Sequence, residues 1–163
     1  MLRIDFKVIM LRKKQKNLKD VEYILSHLRS EDLEELKALW GEGWKDETLK
    51  NIMNTDFYVL LGVSDNPVVM GGVWGVGGKN SGIACVWLLS TEEVKYHKLS
   101  LIKNLSEEIK KAEKEYLILY NFIYKTNHSA KKWLKMLGFR FDNPRPNGIE
   151  VPEGFEFFYK ISG

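Results

Sequence analysis

The chain has 163 residues and a formal net charge of +3, with 44% hydrophobic and 29% charged residues. This length and balance suit one domain with a buried core and exclude a disordered protein, so we expect a single domain over residues 1–163. The early apolar run is too short for a signal peptide, and no stretch approaches the roughly 18 apolar residues of a membrane span. We therefore expect a cytoplasmic protein with no membrane contact.

Positive charge is concentrated in residues 95–135, which contain ten lysines against four glutamates. Such a run is typical of solvated helix faces, and it also suits an anionic ligand such as a phosphate-rich cofactor. Nucleic acid is not favoured as a partner, because no basic run is interleaved with aromatic residues. The single cysteine excludes an internal disulfide, and it lies far from all three histidines, so no metal site is predicted.

The N-terminal third predicts one strand followed by helices. Residues 6–12 read as a strand, and Asn17 is placed to cap a first helix. Ser30 begins a second helix, which the glycines of 41–43 interrupt, and residues 46–54 read as a short third helix. The apolar spacing of the second helix predicts a buried face formed by Leu33, Leu36 and Leu39.

The remainder of the chain predicts a meander of three strands, a long helix, a buried strand, a short helix and a last strand. Turn-forming sequences join the three strands, which indicates antiparallel pairing. The three strands of the meander are predicted at 57–63, 68–76 and 83–90, and the long helix at 98–116. The buried strand is predicted at 116–124, the short helix ends at Gly138, and the last strand is predicted at 155–161. This order predicts a mixed sheet with helices on both faces, an α/β or α+β layout.

Several conspicuous residues are best explained by packing. Gly71 and Gly72 lie within a predicted strand, where glycine permits a bulge or a close approach of neighbouring strands. Cys85 is expected to be a buried small hydrophobic residue, since no histidine stands at partner spacing. The tryptophans are expected in the core or in the wall of a cleft: Trp40, Trp44, Trp74 and Trp87.

One late segment resembles a family motif. An asparagine is followed by alanine three residues later and by Gly-Phe eleven and twelve residues later. The segment is similar to N-x-x-A-x-x-L-Y-x-x-x-G-F of the GCN5-related N-acetyltransferase (GNAT) superfamily, and the order of elements is similar too. The matching residues are Asn127, Ala130, Trp133, Leu134, Gly138 and Phe139.

The resemblance implies a mixed, mostly antiparallel central sheet of about six to seven strands. It also implies acetyl-CoA or another acyl-CoA as co-substrate, no metal, and transfer of the acetyl group by direct attack of an amine. The acceptor would be a small molecule or a protein lysine, held between the 40–44 segment and the 142–154 loop. Nothing in these two segments selects between the acceptors.

The resemblance further implies a cofactor site along the fourth strand. In the family, this strand offers backbone amides to the pantetheine arm, and the next helix begins at the pyrophosphate. Here a lysine stands at the position of the first glycine of the family's phosphate-binding turn. The implied cofactor contacts are Leu88, Leu89, Ser90, Lys95, Lys98, Leu99, Ser100, Asn127 and Trp133.

The implied catalytic groups are a base and a general acid. Glu92 follows the fourth strand and is the candidate base. The family's usual tyrosine position is occupied by Leu134, and Trp133 lies about 100° away around the helix. Tyr124 is therefore the candidate acid by proximity, with Tyr96 as an alternative.

A second resemblance rests on four short stretches: LRSEDLEEL, VVMGGVWG, WLLST and NHSAKKWLKMLGF. They are similar to phage acetyltransferase-like proteins typified by the internal virion protein A of T-odd podophages, which also lack a glycine-rich phosphate loop. This resemblance implies either a phage-type acetyltransferase or a catalytically degenerate GNAT-fold protein of virion assembly or host interaction. Virion or host proteins would then be its partners, and host cytoplasm or virion its location.

Overall fold

A computed structural model describes residues 11–78 and 80–162. Within them, six strands form one sheet, ordered in space as they are along the chain. The β4–β5 pairing is parallel, and the other four pairings are antiparallel. The mixed, mostly antiparallel sheet predicted from the sequence is thereby confirmed. The strands are β1 (Arg12–Gln15), β2 (Phe57–Leu61), β3 (Pro67–Val76), β4 (Ile83–Ser90), β5 (Ile118–Tyr124) and β6 (Phe155–Ile161).

Five α-helices lie in the described residues: α1 (Leu18–Ser26), α2 (Ser30–Trp40), α3 (Trp44–Met53), α4 (Lys98–Glu113) and α5 (His128–Met136). Asn17 caps α1 as predicted, since its side-chain oxygen accepts a hydrogen bond from the Asp20 N–H at 2.8 Å. A 3₁₀ turn at Gly41–Gly43 separates α2 from α3. None of the described helices combines the length and apolar composition that a membrane span requires.

The helices cover both faces of the sheet. Val59, Met70 and Leu89 point to one side and pack against α1, α2 and α3. Leu60 and Val69 point to the other side and pack against α4 and α5. This alternation follows from the two-residue period of a strand. We call the two sides the α1–α3 face and the α4–α5 face.

Two predictions differ from the structure, and a third lies mostly beyond the described residues. The predicted strand at 6–12 falls mostly outside the described residues, and β1 begins at Arg12. Helix α4 ends at Glu113, because the Leu117 and Ile118 N–H groups donate to the Gly82 carbonyl and begin β5 instead. The predicted buried face of α2 is wrong at Leu39, which is 43% exposed.

Close strand packing explains Gly72. A Cβ atom there would lie 2.6 Å from the Asp56 carbonyl oxygen, a backbone atom that cannot rotate away. We expect Gly72→Ala to lower the free energy of unfolding by about 2 kcal/mol, as overpacking does. The matched control is Gly43→Ala, where an added Cβ meets nothing within 4 Å. Urea denaturation of the two variants checks this, and equal losses would contradict it.

Candidate functional site: the cleft between strands β4 and β5

Strands β4 and β5 separate partway along their length. Only three pairs join them: Ile83 with Ile118, Ala84 with Leu119, and Cys85 with Tyr120. One further link follows, in which the Asn121 side-chain amide donates to the Val86 carbonyl oxygen at 2.7 Å. Beyond it the two strands leave a cleft, and a cavity of about 400 Å³ extends through this part of the molecule.

Alternate backbone groups of β4 face the cleft. The Ser90 N–H donates to the Asp32 carboxylate, and the Ser90 carbonyl oxygen accepts from the Arg29 N–H. Both backbone groups therefore point away from β3 and into the cleft. The period of a strand places Val86 and Leu88 on the same edge. The Val86 carbonyl is taken by Asn121. Of the backbone groups that the resemblance assigned to a cofactor, Leu88 and Ser90 therefore face the cleft and Leu89 faces β3.

The start of helix α2 lies in the cleft beside β4. The Arg29 N–H donates to the Ser90 carbonyl oxygen at 2.9 Å, and Leu28 forms an isolated antiparallel bridge with Thr91. The helix start thus pairs with the edge of β4 that β5 has left. The charged residues Arg29 and Asp32 at this helix start are buried, with 4% and 3% of their surface exposed.

Asp32 is the centre of this arrangement. Its Oδ1 accepts from Arg29 Nη2 at 2.7 Å and from Asn127 Nδ2 at 3.4 Å. Its Oδ2 accepts from the Ser90 N–H at 2.9 Å, from Ser90 Oγ at 3.2 Å and from Arg29 Nε at 3.3 Å. A buried carboxylate is tolerated when its charge is paired and its lone pairs are filled, and both conditions hold here.

Asn127 and Trp133 complete the surroundings of Arg29. Asn127 Oδ1 accepts from Arg29 Nη2 at 2.9 Å. The guanidinium carbon lies 4.9 Å from the centre of the Trp133 ring, within range of a cation–π contact. Both residues were implied as cofactor contacts, and the structure places both against Arg29.

Glu35 occupies the β5 side of the cleft one turn further along α2. Its Oε1 accepts from the Tyr124 N–H at 2.6 Å. Burial raises the pKa of Glu35 to about 7, and the nearby Asp32 charge adds to the rise, while the bond from Tyr124 opposes it. The Phe122 N–H, on the same edge of β5 as the Tyr124 N–H, donates to the Asn121 side-chain oxygen at 2.8 Å.

The residues implied as pyrophosphate contacts lie at the start of α4. The preceding turn, Glu92–Tyr96, is a 3₁₀ helix. Lys95 and Lys98 are exposed, and Leu99 is 85% exposed. Ser100 Oγ accepts from the Leu11 N–H at 2.8 Å, so this hydroxyl fixes the chain that leads into β1.

The two implied catalytic residues lie at different points along α2. Glu92 lies at its first residue, Ser30, and Tyr124 lies beside Glu35, further along the helix. Glu92 is exposed, and its carboxylate accepts from the Ser30 N–H at 3.0 Å, where it caps α2. The Tyr124 ring packs on Phe155, with ring centres 5.2 Å apart.

Cys85 lines the cavity beside Tyr120, and burial raises the pKa of its thiol, which keeps it protonated. Trp40, Trp74 and Trp87 also line the cavity, in agreement with a cleft wall. Among the described residues, no three His, Cys, Asp or Glu side chains are grouped as metal ligands would be.

Arg29, Asp32 and Glu35 were missed as site residues. Their spacing of three residues places them along one side of α2, and a charged stripe on a helix usually faces water. The leucine pattern of α2 gave no signal of this, since the buried residues of the helix are Asp32 and Leu36, four positions apart, and Asp32 lies outside the pattern.

Solved structures of low sequence identity share this architecture. The spermidine N-acetyltransferase from Vibrio cholerae, in complex with CoA and spermine, is 10% identical with a TM-score of 0.63, covering 94% of this chain and 96% of that chain. The chain has the GNAT fold. The ribosomal-protein-S18-alanine N-acetyltransferase from Escherichia coli is 13% identical with a TM-score of 0.62, over 94% of this chain and 95% of that chain.

A third GNAT structure, from Kribbella flavida, is 13% identical with a TM-score of 0.60, over 93% and 97% of the two chains. A family model described as "Bacteriophage T7, probable scaffold protein Gp13" matches residues 67–144, slightly less than half of the chain. This segment runs from β3 to the loop after α5 and includes both strands of the cleft. A search among curated proteins finds no significant match.

Proposed function

We propose that this GNAT-fold chain acts in phage virion assembly, through contacts with virion or host proteins, and does not transfer acetyl groups. The observation that carries the proposal is the occupied cleft. Asp32 binds the cleft-facing amide of Ser90, and Glu35 binds that of Tyr124. The chain's own carboxylates thus hold the backbone groups that a bound cofactor arm would need.

The residues present do not fit an acyl-CoA in this arrangement. On β4, the Ser90 N–H and C=O and the Val86 C=O are already bonded within the protein. The turn before α4 carries Glu92 and Glu93, whose negative charges offset the positive charge of Lys95 that a pyrophosphate would need. Displacing Asp32 would leave Arg29 as a buried cation without its partner, at a cost of several kcal/mol.

The similarity to a phage scaffold family model supports the same conclusion. The printed description of that family concerns a scaffold role, and the match covers the cleft strands of this chain. The three acetyltransferases described above are 10% to 13% identical, a level at which they support a common fold and leave the activity open.

Calorimetry with acetyl-CoA tests the proposal. We expect no heat of binding at millimolar cofactor and no turnover across a panel of small amines and lysine peptides. The comparison variant is Asp32→Asn/Glu35→Gln, a milder pair of changes that weakens the internal acceptors of both cleft amides, and binding gained by this variant alone would support the proposal. Saturable binding of acetyl-CoA by the unaltered chain, with acetylation of any amine, would overturn the proposal.

The acetyltransferase is the second candidate, favoured by the cavity of about 400 Å³ and by the Leu88 backbone facing the cleft. In that case α2 must leave the cleft before the cofactor enters. The acyl-CoA contacts would be those implied by the resemblance: Leu88, Leu89, Ser90, Lys95, Lys98, Leu99, Ser100, Asn127 and Trp133. Glu92 would be its base and Tyr124 its acid.

Two conservative variants separate the candidates in the phage. Tyr124→Phe keeps the aromatic ring and removes the hydroxyl, and Glu92→Gln removes the charge of an exposed side chain. Complementation of a phage lacking the gene is expected to give unchanged yields of infectious particles with both variants. A clear loss of infectious particles with either one would favour the enzyme, because removing a general acid or base lowers a catalytic rate by roughly a hundredfold or more.

A further inference from the structure

The α1–α3 face of β5 and β6 carries aromatic side chains in directly opposite pairs. The pairs are Tyr120 with Tyr159, Phe122 with Phe157, and Tyr124 with Phe155. Opposite residues of paired strands share a face, and Tyr120 is opposite Cys85, which is on the same face as Trp87 and Leu89. None of these six described side chains belongs to the hydrophobic clusters that attach the helices to the sheet.

This aromatic floor is bordered by exposed apolar residues. Leu39 and Trp40 at the end of α2 are 43% and 40% exposed, and Trp74 of β3 is 51% exposed. On the other border, a hollow is lined by apolar and aromatic residues and by one lysine and one glutamate: Leu39, Tyr124, Pro152, Phe155, Lys125 and Glu153. We call the surface formed by Leu39, Trp40, Trp74, Phe122, Tyr124 and Phe155 the aromatic groove.

The border of the aromatic groove is acidic. Apart from Asp32 and Glu35, which are bonded within the cleft, residues 30–53 of α2 and α3 contain five acidic residues against three lysines. Residues 142–154, the loop before β6, contain three acidic residues against one arginine. The chain as a whole carries +3, so the positive charge lies elsewhere. The groove therefore suits an occupant that is both apolar and basic.

Residues 95–99 have the complementary character. Leu99 is 85% exposed and Tyr96 is 68% exposed. Lys95 and Lys98 are exposed beside them, with the Lys95 ammonium 5.2 Å from the centre of the Tyr96 ring. We call residues 95–99 the basic knob. The packing of the fold leaves its two apolar side chains in solvent.

The knob and the groove of one chain cannot meet. Val94 and Leu101, on either side of the knob, pack into the cluster on the α4–α5 face. The groove is on the opposite face. An interaction between the two surfaces therefore needs a second molecule.

We propose that the basic knob of one copy docks into the aromatic groove of a second copy. Leu99 and Tyr96 would bury apolar surface against the aromatic floor, and Lys95 and Lys98 would face the acidic border and the rings. The two surfaces differ, so each contact leaves one knob and one groove available and further copies add head to tail. This inference rests on the proposed assembly function, for which growth by repeated contacts is a suitable property.

Sedimentation velocity over micromolar to millimolar protein tests this inference without cofactor. The unaltered chain is expected to sediment faster as its concentration rises. Leu99→Glu in the knob and Trp40→Lys in the groove should each weaken association by roughly thirtyfold or more, the effect of losing a central interface side chain. The matched control, Leu18→Glu on α1, changes a side chain that is 51% exposed and should associate normally.

A mixture of the two interface variants gives the sharpest result. Leu99→Glu retains its groove and Trp40→Lys retains its knob, so an equal mixture should form dimers and nothing longer. An unaltered chain that stays monomeric throughout would overturn the inference. So would association lost in Trp40→Lys and kept in Leu99→Glu, because another partner would then fill the groove. Acetyl-CoA binding with acetylation of an amine would overturn the proposed function and leave this inference standing, so the two failures are distinguishable.

Discussion

Replacing Asp32 with alanine is expected to lower the free energy of unfolding by about 3–5 kcal/mol, the cost of breaking a buried ion pair. The variant leaves the Arg29 guanidinium buried without its carboxylate and leaves the Ser90 N–H without an acceptor. Each unsatisfied group costs free energy that no rearrangement of a close-packed neighbourhood recovers. Urea denaturation at low temperature measures the loss, and Asp32→Asn provides a milder variant if the alanine variant does not fold.

The control for this prediction is Glu34→Ala on the same helix. Glu34 is exposed, so its replacement should change stability by no more than about 0.5 kcal/mol. Removing both partners in Arg29→Met/Asp32→Leu should cost much less than the sum of the single changes, because no lone charge remains buried. Additive losses in this double-mutant cycle would show that Asp32 stabilises the fold in some other way.

Replacing Glu35 with glutamine is expected to change how stability depends on pH. The pKa of Glu35 is about 7 in the folded chain against an ordinary value of 4.5. The folded state therefore binds more protons, so this carboxyl group's contribution is complete below pH 4.5 and is lost as pH rises through 7. The loss approaches about 3 kcal/mol, at about 1.4 kcal/mol for each pKa unit.

The measurement compares the unaltered chain with Glu35→Gln at pH 5 and pH 8. Glutamine keeps an oxygen for the Tyr124 N–H and cannot ionise. The variant should gain about 2.5 kcal/mol relative to the unaltered chain between the two pH values, most of the full loss. Glu34→Gln, at an exposed position of the same helix, should show no such gain. If the difference in free energy of unfolding between Glu35→Gln and the unaltered chain is the same at pH 5 and pH 8, Glu35 is ionised in the folded chain at both pH values.

Much of the sheet follows from local sequence. The turn chemistry between the predicted strands determined the β2–β3–β4 meander, and the apolar run before Asn127 predicted β5. The glycines of β3 were predicted as places of close approach, and the distances at Gly72 agree. These features depend on neighbours along the chain or on one adjacent strand, so a sequence pattern contains them.

The contents of the cleft do not follow from local sequence. Asp32 and Glu35 read as solvated charges, because their partners Ser90 and Tyr124 are far away along the chain. Their burial depends on β4 and β5 separating, a tertiary event that no short pattern records. For the same reason Glu92 read as a candidate base, whereas its contact with the Ser30 N–H appears only when α2 lies against the end of β4.

The hydrogen bond between Arg29 and Asn127 also has a consequence for synthesis on the ribosome. Its two residues are 98 positions apart, so Arg29 at the start of α2 lacks this hydrogen bond until Asn127 has been synthesised. At elongation rates of about 5–20 residues per second, that delay lasts on the order of 5–20 s. During it, the nascent N-terminal half carries apolar surface and an incompletely bonded ion pair. Chaperone contact in this interval is accordingly expected to end when Asn127 leaves the exit tunnel.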